Sequence, residues 1–419
     1  MEAVELKDEK IQPTIKVYRK RWIILMIYFL CVWLCSAQTI EYSIITNVVM
    51  KYYNVRASTV YWTVLCFIII WPIFVFPASY IIDKMGLRFA VLIGILSTAI
   101  GSGVKVLSVG ENLFYVVILG QMIVAVSELF LFNLPSKLSV VWFKPEEIST
   151  VCSLGILGMT SGTAISYYVL PIIVSDSDNM DEIAADLRVM NWGVFLLSIP
   201  LVPIVFFYFP ERPLNPPSMA MFEKRNQRNK VTMSSFLESF KHLMNNKAFY
   251  LHSIAFGCIL GIYSVNGTLL NQFVLNYFPG AQEDAGKMGS LMKTAGFGGL
   301  ILTGIILDKT HRYKAFLSGY IPAGVEFGTE ITYPSPENTV MGILCTTSQV
   351  IAVVLIIIFG EIIAKFGAFW ALIGMIVTLA LGTTFTIMTP NKLKRQKFFE
   401  MNNLVKFTPI PQQNNENHA

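Results

Sequence analysis

Ten stretches of this chain are long and apolar enough to cross a lipid bilayer, and that property excludes most soluble folds. They are 22–50, 59–82, 89–108, 113–133, 147–175, 190–210, 249–277, 289–307, 338–363 and 367–389. Most exceed the ~20 residues that a helix needs to span a hydrocarbon core. None alternates polar and apolar residues in the manner of a barrel strand, so an all-α, multi-pass membrane protein is expected. Composition agrees: 54% of the 419 residues are hydrophobic and 14% charged, against about 25% charged in soluble domains. No cleavable signal peptide is expected. The amino end is charged (Glu2, Glu5, Lys7, Asp8, Glu9, Lys10), and the first apolar run is too long for a signal core.

The six cysteines, Cys31, Cys35, Cys66, Cys152, Cys258 and Cys345, all fall inside apolar windows, where they behave as small apolar residues. Neither they nor the four scattered histidines show metal or haem-attachment spacing. The sequon Asn266-Gly267-Thr268 lies inside a window and reads as a chance match. There is no Gly-rich phosphate loop, no His-Glu-x-x-His and no Gly-x-Ser-x-Gly. An enzyme is therefore not expected, nor a nucleotide-driven pump, and no cofactor is called for.

The charges are sorted by side. Lys and Arg gather in the amino end (Lys16, Arg19, Lys20, Arg21), after the second window (Lys84, Arg88), after the fourth (Lys137, Lys144), in loop 211–247 and in the tail. The segment after the fifth window is acidic instead (Asp176, Asp178, Asp181, Glu182, Asp186). The positive-inside tendency puts the basic segments in the cytoplasm. The net charge of +5 thus reflects topology and calls for no nucleic acid. The organisation that follows is a cytoplasmic amino end over 1–20, a six-helix bundle over 21–210, a Pro-rich cytoplasmic linker over 211–247, a second bundle over 248–389 and a disordered cytoplasmic tail over 390–419. Within the linker, Phe236, Leu237, Phe240 and Leu243 have the spacing of an amphipathic surface helix over 234–244.

Two acidic-basic turns recur at matching places. Asp83-Lys84-Met85-Gly86-Leu87-Arg88 follows the second window, and Asp308-Lys309-Thr310-His311-Arg312, led by Gly304, follows the eighth. The first resembles the Gly-x-x-x-Asp-x-x-Gly-Arg loop between spans 2 and 3 of the major facilitator superfamily, with Ser79 in place of the leading glycine. Such a repeat implies two pseudo-symmetric helix bundles. Asp83, Arg88, Asp308 and Arg312 then read as gating residues, against the plainer alternative of positive-inside anchoring.

Further blocks resemble the feline leukaemia virus subgroup C receptor-related family within that superfamily. They include Glu41-Tyr42-Ser43-Ile44-Ile45-Thr46-Asn47, Pro135-Ser136-Lys137, Thr268-Leu269-Leu270-Asn271-Gln272 and Gly319-Tyr320-Ile321-Pro322-Ala323-Gly324-Val325-Glu326-Phe327. The resemblance implies uptake of choline and ethanolamine by alternating access, with haem export as the family's older attribution. One departure is large. The family has a complete ninth span before the Gly-Tyr-x-Pro block, whereas here Lys314 runs directly into Ala315-Phe316-Leu317-Ser318. Roughly 40–50 residues are missing relative to the family, at ~20 per span. The stub 315–328 would be about 20 Å long as a helix. A re-entrant stub keeps both termini cytoplasmic, which the basic tail favours; a crossing stub would invert the last two spans. The expected bundle is therefore incomplete near 314–315, with ten full spans plus the stub.

A cationic solute needs a partly dry chamber lined by negative or aromatic groups. Each aromatic face offers a quaternary ammonium roughly 0.5–2 kcal/mol. Glu128, in the fourth window, is the first candidate, because an acid at that depth is functional by default; the alternative is a protonated acid bonded to a neighbouring helix. The resemblance matches Glu128 to a family site residue that is usually Gln. It likewise puts Glu41 where the family has Gln, and Thr39 where it has a cage-forming Trp. Thr39 and Glu41 point ~200° apart on a continuous helix, so both face one chamber only if that helix is broken. Glu41 either lines the chamber or pairs between helices. The resemblance also nominates Tyr263 as the cage tyrosine, with a core tyrosine as the alternative, and Gln349 as a site amide or a helix cap. Gln38, Tyr42, Asn271 and Gln272 are further polar candidates. The expected partners are a small cationic solute or haem and the lipid bilayer, with the protein a monomer in the plasma membrane. A non-transporting regulatory form is the reading from a different class.

Overall fold

The computed structural model of the chain describes residues 16–144, 147–217, 243, 246–310, 321–332 and 337–390. Arg312, most of the expected surface helix over 234–244 and the tail past Pro390 lie outside the described residues. The described residues form helices and turns, with no strand among them. In chain order the helices are α1 Lys20–Ala37, α2 Thr46–Tyr53, α3 Ala57–Met85, α4 Leu87–Val106, α5 Phe114–Leu131, α6 Pro135–Trp142 and α7 Ile148–Ile173. They continue as α8 Met180–Ser198, α9 Leu201–Tyr208, α10 Lys247–Tyr277, α11 Gln282–Thr310, α12 Ile321–Thr332, α13 Glu337–Phe366 and α14 Ala368–Met388.

Nine spans among the described residues are long and apolar enough to cross a membrane. The tenth window, 289–307, lies within α11, whose first turn is acidic (Glu283, Asp284). Two helix breaks have a chemical reason. Pro135 starts α6 after α5 has ended at Leu131, and Pro200 separates α8 from α9. Proline has no N–H for the helix ladder and restricts the residue before it. The outside is as apolar as a lipid-facing surface requires: Tyr115, Phe207 and Ile376 are 67%, 75% and 66% exposed.

The chain divides into two compact units. The first comprises Met1–Lys230, Tyr263–Gly299 and Ala352–Gly374. In it α4 lies along α5, and α1 along α7. The latter approach is close: a Cβ on Gly162 would come within 2.2 Å of the Trp33 carbonyl oxygen. One apolar core gathers Ile24, Tyr28, Val91, Leu131, Leu138 and Phe143, and the Tyr28 hydroxyl donates to the Leu131 carbonyl (2.8 Å). A second core gathers Tyr42, Ile45, Val48, Tyr167, Leu187 and Leu270.

The second unit comprises Val231–Ile262, Leu300–Ile351 and Met375–Ala419. Phe249, Phe256, Phe327, Ile331, Ile343 and Leu344 form its core. Part of the expected stub is seen here as α12, a 12-residue helix about 18 Å long. The His252 ring, through Nε2, bonds the Gly324 carbonyl (2.7 Å) and meets Phe327 edge to face, fixing α12 against the first half of α10.

The first acidic-basic turn is a joint between helices. Gly86 separates α3 from α4 at φ +96°, a left-handed value that favours glycine. The Glu211 carboxylate accepts the free Leu87 and Arg88 amides, each at 2.7 Å, as an anion does at a helix N-terminus. A Cβ at Gly86 would lie 2.1 Å from Glu211 Oε1. At another loop, Lys51 hydrogen-bonds exposed Asp178 and so holds that carboxyl below the usual carboxylate range. Its contribution is complete above the ordinary aspartate value and is lost as pH falls through the lowered one.

Gly86→Ala should therefore lower stability by at least about 1 kcal/mol and displace Glu211. A melting temperature in detergent equal to that of the parent would contradict this joint.

Candidate functional site

The first span is broken. Its window divides into α1 and α2, with turns from Gln38 to Ile45. The lipid interior offers no water to the carbonyls that a break releases, so protein groups must take them. Ser166 donates to the Ala37 carbonyl (2.8 Å), Gln121 to that of Gln38 (3.0 Å) and Asn271 to that of Ile44 (2.7 Å). The break meets the condition under which Thr39 and Glu41 need not point apart.

Glu41 nevertheless pairs between helices. It is buried and forms an ion pair with Lys105 of α4, which is equally buried. Gln121 Oε1 lies 3.5 Å from the same ammonium, and the Tyr42 ring 5.8 Å. Tyr42 in turn bonds Asn191 (2.9 Å), and Asn191 bonds the Lys105 carbonyl (2.9 Å). Gln38 is buried with its Oε1 unpartnered, and Thr39 is half-buried. Glu128, on α5, is half-buried, yet its Oε2 is shielded and without a partner. On the same helix Ser127 bonds Thr98 (2.7 Å).

Tyr263 is 48% exposed, so it is no core tyrosine. Lys293 of α11 donates to its hydroxyl (2.7 Å) and lies 4.0 Å from its ring centroid. Tyr167 stands behind, 6.0 Å from the same ammonium, with its hydroxyl on the Gly267 carbonyl (2.7 Å). Asn271 belongs to an amide cluster instead. It also bonds Asn47, which bonds Gln282, and Gln282 bonds the Val174 carbonyl. These contacts tie α2, α7, α10 and α11 together beside Asp176, which Asn47 also bonds. Gln272 is half-buried. Gln349 is half-buried on α13, within the second unit. A shallow cavity of about 280 Å³, bounded by Thr160, Ser161, Tyr168, Ser290 and Thr294, contains none of the expected site residues.

Of the expected gating residues, Asp83 pairs with Lys137 at 3.1 Å, and Arg88 bonds the Phe206 carbonyl at 2.6 Å. Both contacts stay within the first unit. Asp308 lies on α11; Arg312 is outside the described residues. The residues that sequence reasoning passed over are Lys105, Lys293, Gln121 and Asn191. A signal for the two lysines was present, since each is a cation inside an apolar window, the same criterion that singled out Glu128.

Similarity to known proteins agrees with this architecture. The family profile described as Major Facilitator Superfamily matches residues 21–325. The chain is 33% identical to the choline/ethanolamine transporter flvcr2a of Danio rerio, covering 91% of this chain and 89% of that protein. It is also 33% identical to the uncharacterized MFS-type transporter C09D4.1 of Caenorhabditis elegans, covering 93% and 72% respectively. Among solved structures, the nucleoside transporter NupG (D323A mutant) superposes with a TM-score of 0.63 at 13% identity, over 88% of this chain and 98% of that one.

Removing one member of a buried ion pair costs about 3–5 kcal/mol, mostly for the charge left behind. Lys105→Met should therefore destabilise the protein strongly, and adding Glu41→Gln should restore most of the loss. Thermal unfolding of both variants tests this; a double variant no more stable than the single one would show that the pair is not what holds the break.

Proposed function

The chain belongs to the major facilitator superfamily and, within it, to the feline leukaemia virus subgroup C receptor-related family, and from that premise we propose that it carries a small amine of the choline and ethanolamine class across the membrane by alternating access. The observation that carries this reading is Glu128. Its shielded, unpartnered carboxylate oxygen is what an ammonium group seeks in a dry chamber. Glu41 contributes no free charge, because Lys105 neutralises it. Thr39 supplies a hydroxyl where the family resemblance expects an aromatic wall, and Lys293 already lies on the Tyr263 ring, so aromatic holding of a cation is weakened. A primary ammonium, which can donate hydrogen bonds to Glu128 and to the Gln38 amide oxygen, suits such a chamber better than a quaternary one.

In this reading Gln349 is a further solute-binding amide. The amide cluster of Asn47, Asn271 and Gln282 closes one mouth and has to separate in each cycle. Asp83, Arg88, Asp308 and Arg312 act as gating residues. The carrier acts in the plasma membrane as a monomer with both termini in the cytoplasm. The layout is the two bundles and linker drawn from the sequence, with the second bundle short of a full set of spans. One observation supports that shortening. The alignment with the nematode relative runs to 428 positions while covering 93% of this 419-residue chain, so the relative has residues with no counterpart here.

Cells expressing the chain should accumulate labelled ethanolamine and choline above background. Glu128→Gln should reduce ethanolamine uptake by about tenfold, equivalent to about 1.4 kcal/mol. Surface-expressed protein with no uptake of either amine would reject the reading, and haem-dependent rescue would redirect it to haem.

A further inference from the structure

Lys293 sits where a transported cation would be expected. Its ammonium lies on the face of Tyr263 and bonds that residue's hydroxyl, so the chain itself occupies the aromatic surface suited to a quaternary ammonium. Lys293 is 11 residues into α11, about 17 Å along the helix at 1.5 Å per residue. No carboxylate among the described residues lies within ion-pair distance of it. Its near neighbours are the neutral Tyr263 and Tyr167 and the backbone at Gly267. A cation within an apolar span without a counter-charge is costly, and such residues mark solute pathways.

Within the apolar windows of the first unit, Glu128 and Lys293 therefore stand without an oppositely charged partner among the described residues. Glu41 and Lys105 cancel one another, which leaves the unpartnered carboxylate oxygen of Glu128 and the ammonium of Lys293. We infer that Lys293 is a specificity-determining residue, and that the preferred solute is a zwitterion, bearing an amine for Glu128 and a carboxylate or phosphate for Lys293. A simple cation would meet repulsion on the Tyr263 face, whereas an anionic group would be drawn to the ammonium there. The inference rests on the small-amine reading above and narrows it.

The full chain in proteoliposomes, assayed for uptake of four labelled probes, tests it. Choline is set against glycine betaine, which adds a carboxylate to the same quaternary head, and ethanolamine against phosphoethanolamine. The parent protein should take up at least one zwitterion about tenfold more effectively than its simple counterpart; which pair responds distinguishes carboxylate from phosphate recognition. Lys293→Gln should reverse that order by raising choline or ethanolamine uptake, and Lys293→Arg should preserve it. A parent that prefers the simple amines overturns the inference while leaving the small-amine reading intact, even if Lys293→Gln fails to fold. So does a Lys293→Gln protein with the same preference as the parent. Absence of uptake for all four probes overturns both.

Discussion

Water is absent from the middle of a bilayer, so every backbone group freed from a helix there has to find a protein partner. The break between α1 and α2 shows how much of this chain answers to that constraint. Eight residues, Gln38 to Ile45, leave the regular helix, and the carbonyls around them are taken by Ser166 from α7, Gln121 from α5 and Asn271 from α10. These polar residues would be liabilities on a lipid-facing surface. Here they let an irregular segment sit inside the protein, the circumstance in which membrane proteins tolerate non-helical backbone.

Charge obeys the same rule. The ion pair of Glu41 and Lys105 joins the broken segment to α4, with Gln121, Tyr42 and Asn191 around it. Toward the basic end of the bundle, Arg21 pairs with Glu147, Lys137 with Asp83, and Glu211 caps α4. These pairs hold helices together. Glu128 and Lys293 have no oppositely charged partner among the described residues.

The multi-pass, all-helical class was legible because lipid imposes length and polarity on every span independently, so each window could be judged alone. The resemblance blocks carried the family for a related reason, being contiguous runs such as Glu41 to Asn47. Glu128 was legible as an acid in an apolar run. The role of Glu41 was not, because lining a chamber and pairing with another helix require the same residue type. Its partner, Lys105, is 64 residues away, and no local periodicity connects them. Tyr263 had the right chemistry for a cation cage, but nothing nearby in sequence announced that Lys293, 30 residues later, would lie on its ring.

By itself, then, the sequence determined a polytopic helical carrier and a short roster of polar residues, since these follow from composition and spacing along one helix at a time. The tertiary structure alone decided which charges are paired with one another and which are not. That distinction depends on contacts between helices distant in the chain, where a separation of a few ångströms in a medium of low dielectric governs whether a charge is neutralised or left to act.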